Sequence, residues 1–479
     1  MATAVARLWQ HRRAVAAGAA AINPGKDIMK KLGTVVAVVV AVLVAAALLG
    51  PLATGGMVSA QIAKTVDNIN QQGQFKASYV RAHKGWFGEQ GTLELTAQNP
   101  KLQKILGTAP QAVQLDVAYG PFPFAAFGHG FTGLPVAAVI HARSDALNDL
   151  LAKSGSTFVL RSTYGLFGGN DTLARLGAGN VQTSNSKVAW QALRLDASDV
   201  VIRDGMTAGD FDLHWGGLQM DDTAKGEQIV VGKLKLEGDT HFEQGVPIGG
   251  YHLELDSAKA TGMPQPMTMN GFSLKGGSTI SDAQFADFDA RYEIQSMQVG
   301  AQSFKPMVLA ISLKHLYLPA MLQLQKAMHN PALAQEQAAG NPGAVFAAMR
   351  QPLQEMLAHQ AVLQLDELRV GMPAGALTAK GKAALTAPPP PGPLNAQQLL
   401  PLLQVHLEVR APKALAEFLA QQQAARSGAP AAQQAAAGQA MLAGLVGRGM
   451  IKPDGGDYVL VFDINKGAMQ VNGSTIRQL

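Results

Sequence analysis

From residue 74 to about residue 315, apolar and polar residues alternate with a period of two, and no other feature constrains the fold as much. Phe75, Ala77 and Tyr79 alternate with Gln74, Lys76 and Ser78, and Val113, Leu115, Val117 and Tyr119 with Gln114 and Asp116. The pattern returns at Phe211, Leu213 and Trp215, at Leu234 and Leu236, at Tyr251, Leu253 and Leu255, and at Phe288, Ala290, Tyr292 and Ile294. Successive side chains of a strand point to opposite faces, so each segment presents one apolar and one wet face. Gly, Asn and Asp fill the gaps without helical periodicity, which predicts a meandering antiparallel sheet rather than βαβ units. The stretch Asn170 to Asn180 fits no such pattern. A long sheet that is apolar on one side must curl, pair with a second sheet, take helices or bind something greasy.

Beyond Leu316 the character changes. Leu316 to Gln337 and Ala344 to Gln364, rich in Leu, Met, Ala and Gln, read as amphipathic helices interrupted at Asn330-Pro331 and Asn341-Pro342. A strand pair around the turn Gly371 to Gly375 follows, then a stiff Pro-rich spacer over 387–393. Asn395 to Leu403 reads as a short helix, Val405 to Val409 as a strand and Ala411 to Gln423 as a helix. The Ala/Gln/Gly tract at 421–440 reads as low-complexity, mobile chain. Tyr458 to Val471 is expected to form a closing hairpin, with Asp454 to Asp457 as a tight turn before it.

Leu32 to Leu52 contains no charged residue in 21 positions. At helical rise this is about 30 Å, the thickness of a bilayer core. Arg7, Arg12, Arg13, Lys26, Lys30 and Lys31 precede it against Asp27 alone, and this leader accounts for the whole formal net charge of +5. The excess of base, Lys26, Lys30 and Lys31 nearest the run, is therefore a topology signal: N-terminus in the cytoplasm, bulk outside. It is not a nucleic-acid footprint, because the rest of the chain is neutral. A secretory signal cleaved after Ala60 is the competing reading; the length of the apolar run favours an uncleaved anchor. Met29-Lys30-Lys31 already reads as a complete start, so residues 1–28 are expected to lie ahead of the natural one.

The sequence contains no recognisable catalytic motif. With no cysteine there is no thiolate site and no disulfide. The histidines have no zinc-helix spacing, and His252 and His406 fall on the polar faces of their strands. Gly375 to Lys382 lacks the spacing and the Ser/Thr of a phosphate loop. Asp221, Asp222, Asp282, Asp287 and Asp289 read as solvated rather than as paired catalytic acids. His83 to Gly88 lies between two alternating strands, so Trp86 and Phe87 are expected at the sheet edge, as packing or as a ligand contact.

Three segments carry a family resemblance: the basic-then-apolar start Met29 to Leu52, Phe75 to Leu95 (FKASYVRAHKGWFGEQGTLEL) and Asp457 to Gly473 (DYVLVFDINKGAMQVNG). Leu368 to Ala383 and Leu403 to Leu419 fit the same alternation of strand, turn and helix. In these the chain resembles the YdgA-like family of bacterial envelope proteins, itself similar to AsmA-like proteins. The resemblance implies a tethered sheet that handles lipid or assists outer-membrane assembly.

The expected architecture is α+β and β-rich: an N-terminal transmembrane helix, then an extended twisted antiparallel sheet with helices packed near the C-terminus. Residues 1–31 form the basic cytoplasmic N-terminus, 32–52 the transmembrane helix, 53–315 the periplasmic β region and 316–479 the helices and closing strands. The expected function is non-enzymatic and needs no cofactor or metal. A bacterial inner-membrane protein would bind lipid, or support envelope assembly, through a one-sided apolar sheet. A protein-interaction scaffold without ligand is the second expectation and a periplasmic hydrolase the third. The partners implied are the inner membrane, lipid and envelope proteins, and no nucleic acid.

Overall fold

A computed structural model of the protein describes residues 75–84, 88–98, 110–119, 136–143, 154–165, 170–182, 186–203, 206–328, 342–388 and 399–478, with scattered positions between 63 and 152. Leu32 to Leu52, with Lys26, Lys30 and Lys31, lies outside them, as do Trp86 and Phe87. Among the described residues no helix is long and apolar enough to cross a membrane.

The described chain is β-rich, with a large antiparallel sheet and a few helices near the C-terminus. The meander begins with β1 (Phe75–Lys84), β2 (Gly88–Ala97), β3 (Gln111–Tyr119), β4 (Val136–Arg143), β5 (Phe158–Gly165) and β6 (Asn170–Leu176), each paired to the next. Next come β7 (Gly179–Gln182), β8 (Ser186–Trp190), β9 (Leu193–Arg203), β10 (Met206–Trp215), β11 (Leu218–Asp222), β12 (Glu227–Val231) and β13 (Leu234–Glu243). Three long strands follow, β14 (Val246–Thr261), β15 (Met267–Asp282) and β16 (Phe285–Val299), then β17 (Gln302–Phe304) and β18 (Met307–Tyr317). The last part contains β19 (Val362–Met372), β20 (Gly375–Leu385), β21 (Leu403–Pro412), β22 (Lys452–Asp454), β23 (Asp457–Asn465), β24 (Ala468–Val471) and β25 (Ser474–Gln478).

Two lines of irregularity cross the middle of the sheet. Along the first, β6 gives way to β7, β8 to β9, β10 to β11 and β12 to β13, while β14 and β15 run through with Asp256 and Gly271 unpaired. Backbone bonds bridge the line, among them Gln191 N–H to Gly217 O at 2.9 Å and Gly232 N–H to Ser257 O at 2.8 Å. Gly217 shows why glycine is needed there: φ is +116° and a Cβ would sit 2.4 Å from the Val231 carbonyl oxygen. The second line runs through Asp199 and Gly209, Gly249, Asp287 and His315, with bulges in the β9–β10 and β16–β18 pairings. At Gly249 a Cβ would lie 2.0 Å from Asp239 O. Between the two lines, β9, β10, β13, β14, β15, β16 and β18 form a regular panel about 20 Å tall and about 30 Å wide.

The helices sit beyond this panel. α1 (Leu318–Met328) and α2 (Pro342–Ala358) form a pair between β18 and β19, packed through Leu316, Ala320 and Met356 and, on α1, through Leu318 against Val246, Ile248 and Ala286. His315 stacks on Phe285, and Tyr317 on His359, each at 3.7 Å between ring centres, which fixes the end of α2 to the sheet. α3 (Lys413–Arg426) rests on β20, β21 and β23 and packs against α4 (Gln434–Gly447).

Several local expectations are corrected. The 421–440 tract is ordered as the end of α3, a turn at 427–430 and the start of α4, because Ala and Gln are good helix formers and Gly438 lets α4 approach the α3 backbone at Gln421. The second amphipathic helix ends at Ala358 rather than Gln364, since Val362 already belongs to β19. Leu403 starts β21 and ends no helix. Asn170 to Asn180 holds two strands. β6 alternates in burial while carrying Asn170 and Thr172 inward, where Asn170 brackets the Val200 backbone at 2.9 and 3.1 Å and Thr172 Oγ1 lies 2.9 Å from Ser162 Oγ. The closing hairpin of β23 and β24 and the Asp454 to Asp457 turn form as expected.

Candidate functional site: the two faces of the central panel

Register turns isolated alternating segments into continuous rows. On one face Leu195, Leu213, Leu236, Leu253, Leu274, Tyr292, Leu309 and Leu368 stand opposite one another in sequence across eight strands, the seven of the panel and β19 beside it. A parallel row contains Leu193, Trp215, Leu234, Leu255, Phe272, Ile294, Met307 and Val370. No member of either row is buried, and Tyr251 and Tyr292 on the same face are 40 % and 37 % exposed. In a third row Phe211 lies over Gly238 and Tyr251 over Gly276, where a Cβ would come within 2.1 and 2.4 Å of the rings. These rings lie flat across the neighbouring strand, so the apolar surface is low in relief.

The opposite face is charged and concave. A cavity of about 1030 Å³ opens on it, lined from β5 and β6 across to β15. Charges pair along strands: Arg194 with Asp196, His214 Nε2 with Asp212 Oδ1 at 2.8 Å, and Lys235 Nζ with Glu237 Oε1 at 2.6 Å. The hydrogen bond from Lys235 holds the Glu237 carboxyl below the usual carboxylate range. Asp210 stands directly opposite Asp239, and partial burial followed by the Asp239 charge raises the Asp210 carboxyl above that range.

The histidines and acids singled out from sequence serve as local partners. His252 Nε2 lies 3.1 Å from Glu254 Oε1, and His406 Nδ1 lies 2.8 Å from Asp463 Oδ1. Asp222 caps the β11–β12 turn, Asp282 accepts from Gln284 N–H, and Asp287 accepts from His315 N–H. Among the described residues no three His, Asp or Glu are grouped to hold a metal ion. Lys26, Lys30, Lys31, Trp86 and Phe87 lie outside the description, although the strands flanking Trp86 and Phe87 do pair. The one-sided apolar sheet is expected from the alternation; that its residues align in rows, and that the opposite face carries charged rows, is not, because register is set by turns and bulges and no single strand displays it.

A profile of bacterial proteins of unknown function (DUF945) matches residues 29–477. The chain belongs to this family. No curated protein and no solved structure matches it. Membership of DUF945 assigns no activity, so the function has to be argued from the faces of the sheet.

Proposed function

We propose that the chain is a single-pass inner-membrane protein of the bacterial envelope whose exported sheet binds lipid acyl chains along the apolar face of its central panel, without catalysing a reaction. The observation that carries this reading is the pair of eight-residue apolar rows, unbroken in register and with no member fully buried. A contiguous apolar surface of this extent marks a binding surface, and its flatness suits an extended hydrocarbon chain. The leader Leu32 to Leu52, with Lys26, Lys30 and Lys31 before it, supports the tether and its orientation. The resemblance to YdgA-like and AsmA-like proteins points to the same envelope role.

Native mass spectrometry of the full chain extracted in mild detergent tests this. Lipid adducts are expected on the natural chain and are expected to be lost from a Leu236→Glu/Leu253→Glu variant that keeps its circular dichroism. Adduct-free natural protein, or adducts indifferent to those substitutions, would reject the reading.

A further inference from the structure

On the charged face, four bases stand directly opposite one another across four strands. Arg175 on β6 faces Arg194 on β9, Arg194 faces His214 on β10, and His214 faces Lys235 on β13. Like charges in register are unfavourable. Three of the four are answered by a carboxylate two residues away on the same strand, namely Asp196, Asp212 and Glu237. Those acids form a second row, Asp196 opposite Asp212 and Asp212 opposite Glu237. On β6 the residue opposite Asp196 is Leu173, so the acidic row stops one strand short of the basic one.

Arg175 is therefore left without the counter-ion its neighbours have. Arg161, on β5 opposite Leu173, projects from the same face beside it. Neither guanidinium has an ion-pair partner among the described residues. Together with Arg194 they line one end of the large cavity. Guanidinium groups bind phosphate and carboxylate through paired N–H donors in a fixed fork.

We propose that Arg161, Arg175 and Arg194 bind an oxyanion, a phosphate or carboxylate group, which takes the place that an acid at position 173 would fill. Asp171 borders the same end of the cavity from β6, opposite Thr163, and farther along Asp210 and Asp239 repel negative charge, so the ligand carries one anionic group at the arginine end and is not an extended polyanion. The site lies on the face opposite the apolar rows, and its existence does not depend on the acyl-chain reading.

The test uses the full chain in neutral detergent, titrated by calorimetry with inorganic phosphate and separately with water-soluble dihexanoyl phosphatidylglycerol, with dihexanoyl phosphatidylcholine as the reference. Binding of phosphate identifies a free oxyanion as sufficient. Binding of the phosphatidylglycerol alone, in excess of the phosphatidylcholine, identifies a lipid headgroup as the source. In either case Arg175→Gln is expected to weaken binding at least about tenfold, the scale of one lost charge-assisted hydrogen bond. Leu173→Glu is expected to weaken it equally while leaving the fold intact, because it supplies the missing internal counter-ion, and Lys382→Gln on β20 is expected to change nothing. Absence of binding by both probes, or binding that Leu173→Glu leaves unchanged, would overturn the proposal. Loss of acyl-chain binding in the Leu236→Glu/Leu253→Glu variant with phosphate binding retained would separate the two sites.

Discussion

The first three strands and the central panel share the same alternating pattern and meet opposite fates. In β1 to β3 the inward residues are sealed: Leu93 and Leu115 are 1 % exposed, and Ala77, Leu95, Val113 and Val117 are buried with them. The helical positions before β1 contribute, with Ile69 buried and Asn70 bracketing Ala77 through bonds of 3.1 and 2.7 Å. In the panel, Leu213, Leu236, Leu253 and Leu274 occupy equivalent positions on the apolar face and are only partly buried. Period-two patterning thus determines that a sheet forms and which face is apolar; whether that face becomes core depends on what covers it.

Truncating a leucine in the first region has the largest expected effect. Leu93→Ala is expected to cost about 2–5 kcal/mol in urea unfolding, the range for a buried leucine whose site cannot collapse. A cost near zero would mean that the first three strands are not a core. Next in size is Arg81→Gln. Glu89 is 1 % exposed and is held by Arg81 at 3.0 Å and by the Tyr79 hydroxyl at 3.0 Å, so removing the guanidinium takes a charged partner from a buried carboxylate, at roughly 1.5–3 kcal/mol. Leu253→Ala in the panel is expected to cost less than Leu93→Ala, about 1–2 kcal/mol, because part of the Leu253 side chain stays in contact with water in the folded chain. A penalty as large as that of Leu93→Ala would show the panel to be packed.

The smallest effect concerns charge. The Asp210 carboxyl has a raised pKa in the folded state, so the folded chain binds that proton more tightly than the unfolded one, and stability falls as pH rises through the folded-state value. Asp210→Asn removes this loss. It is expected to raise the melting temperature slightly at neutral pH and to give no gain once the pH lies below the ordinary carboxylate range, as a pH series of melting curves would show.

Much of this fold was legible in the residues themselves. The alternation at Phe211 to Trp215 or Tyr251 to Leu255 is visible because leucine and aromatics occupy every inward site. Asn170 to Leu176 was illegible for the opposite reason: its inward sites hold Asn and Thr, paid for by hydrogen bonds from a strand thirty residues away and from β5. The charged rows were hidden differently. Arg175, Arg194, His214 and Lys235 are ordinary outward residues in their own strands, and they become a row only through the register that bulges such as Asp199 against Gly209 impose. The absence of an acid at Leu173 has meaning only once that row exists.

The chain contains no cysteine, which gives a clean background for the decisive measurement. Leu253→Cys and, separately, Leu93→Cys in the folded full chain can be timed against a thiol-reactive reagent with and without added phospholipid. Rapid labelling is expected at position 253, slowed by phospholipid, and almost none at position 93 in either condition. Labelling at 253 as slow as at 93, or rapid labelling that phospholipid leaves untouched, would contradict an exposed, lipid-binding panel.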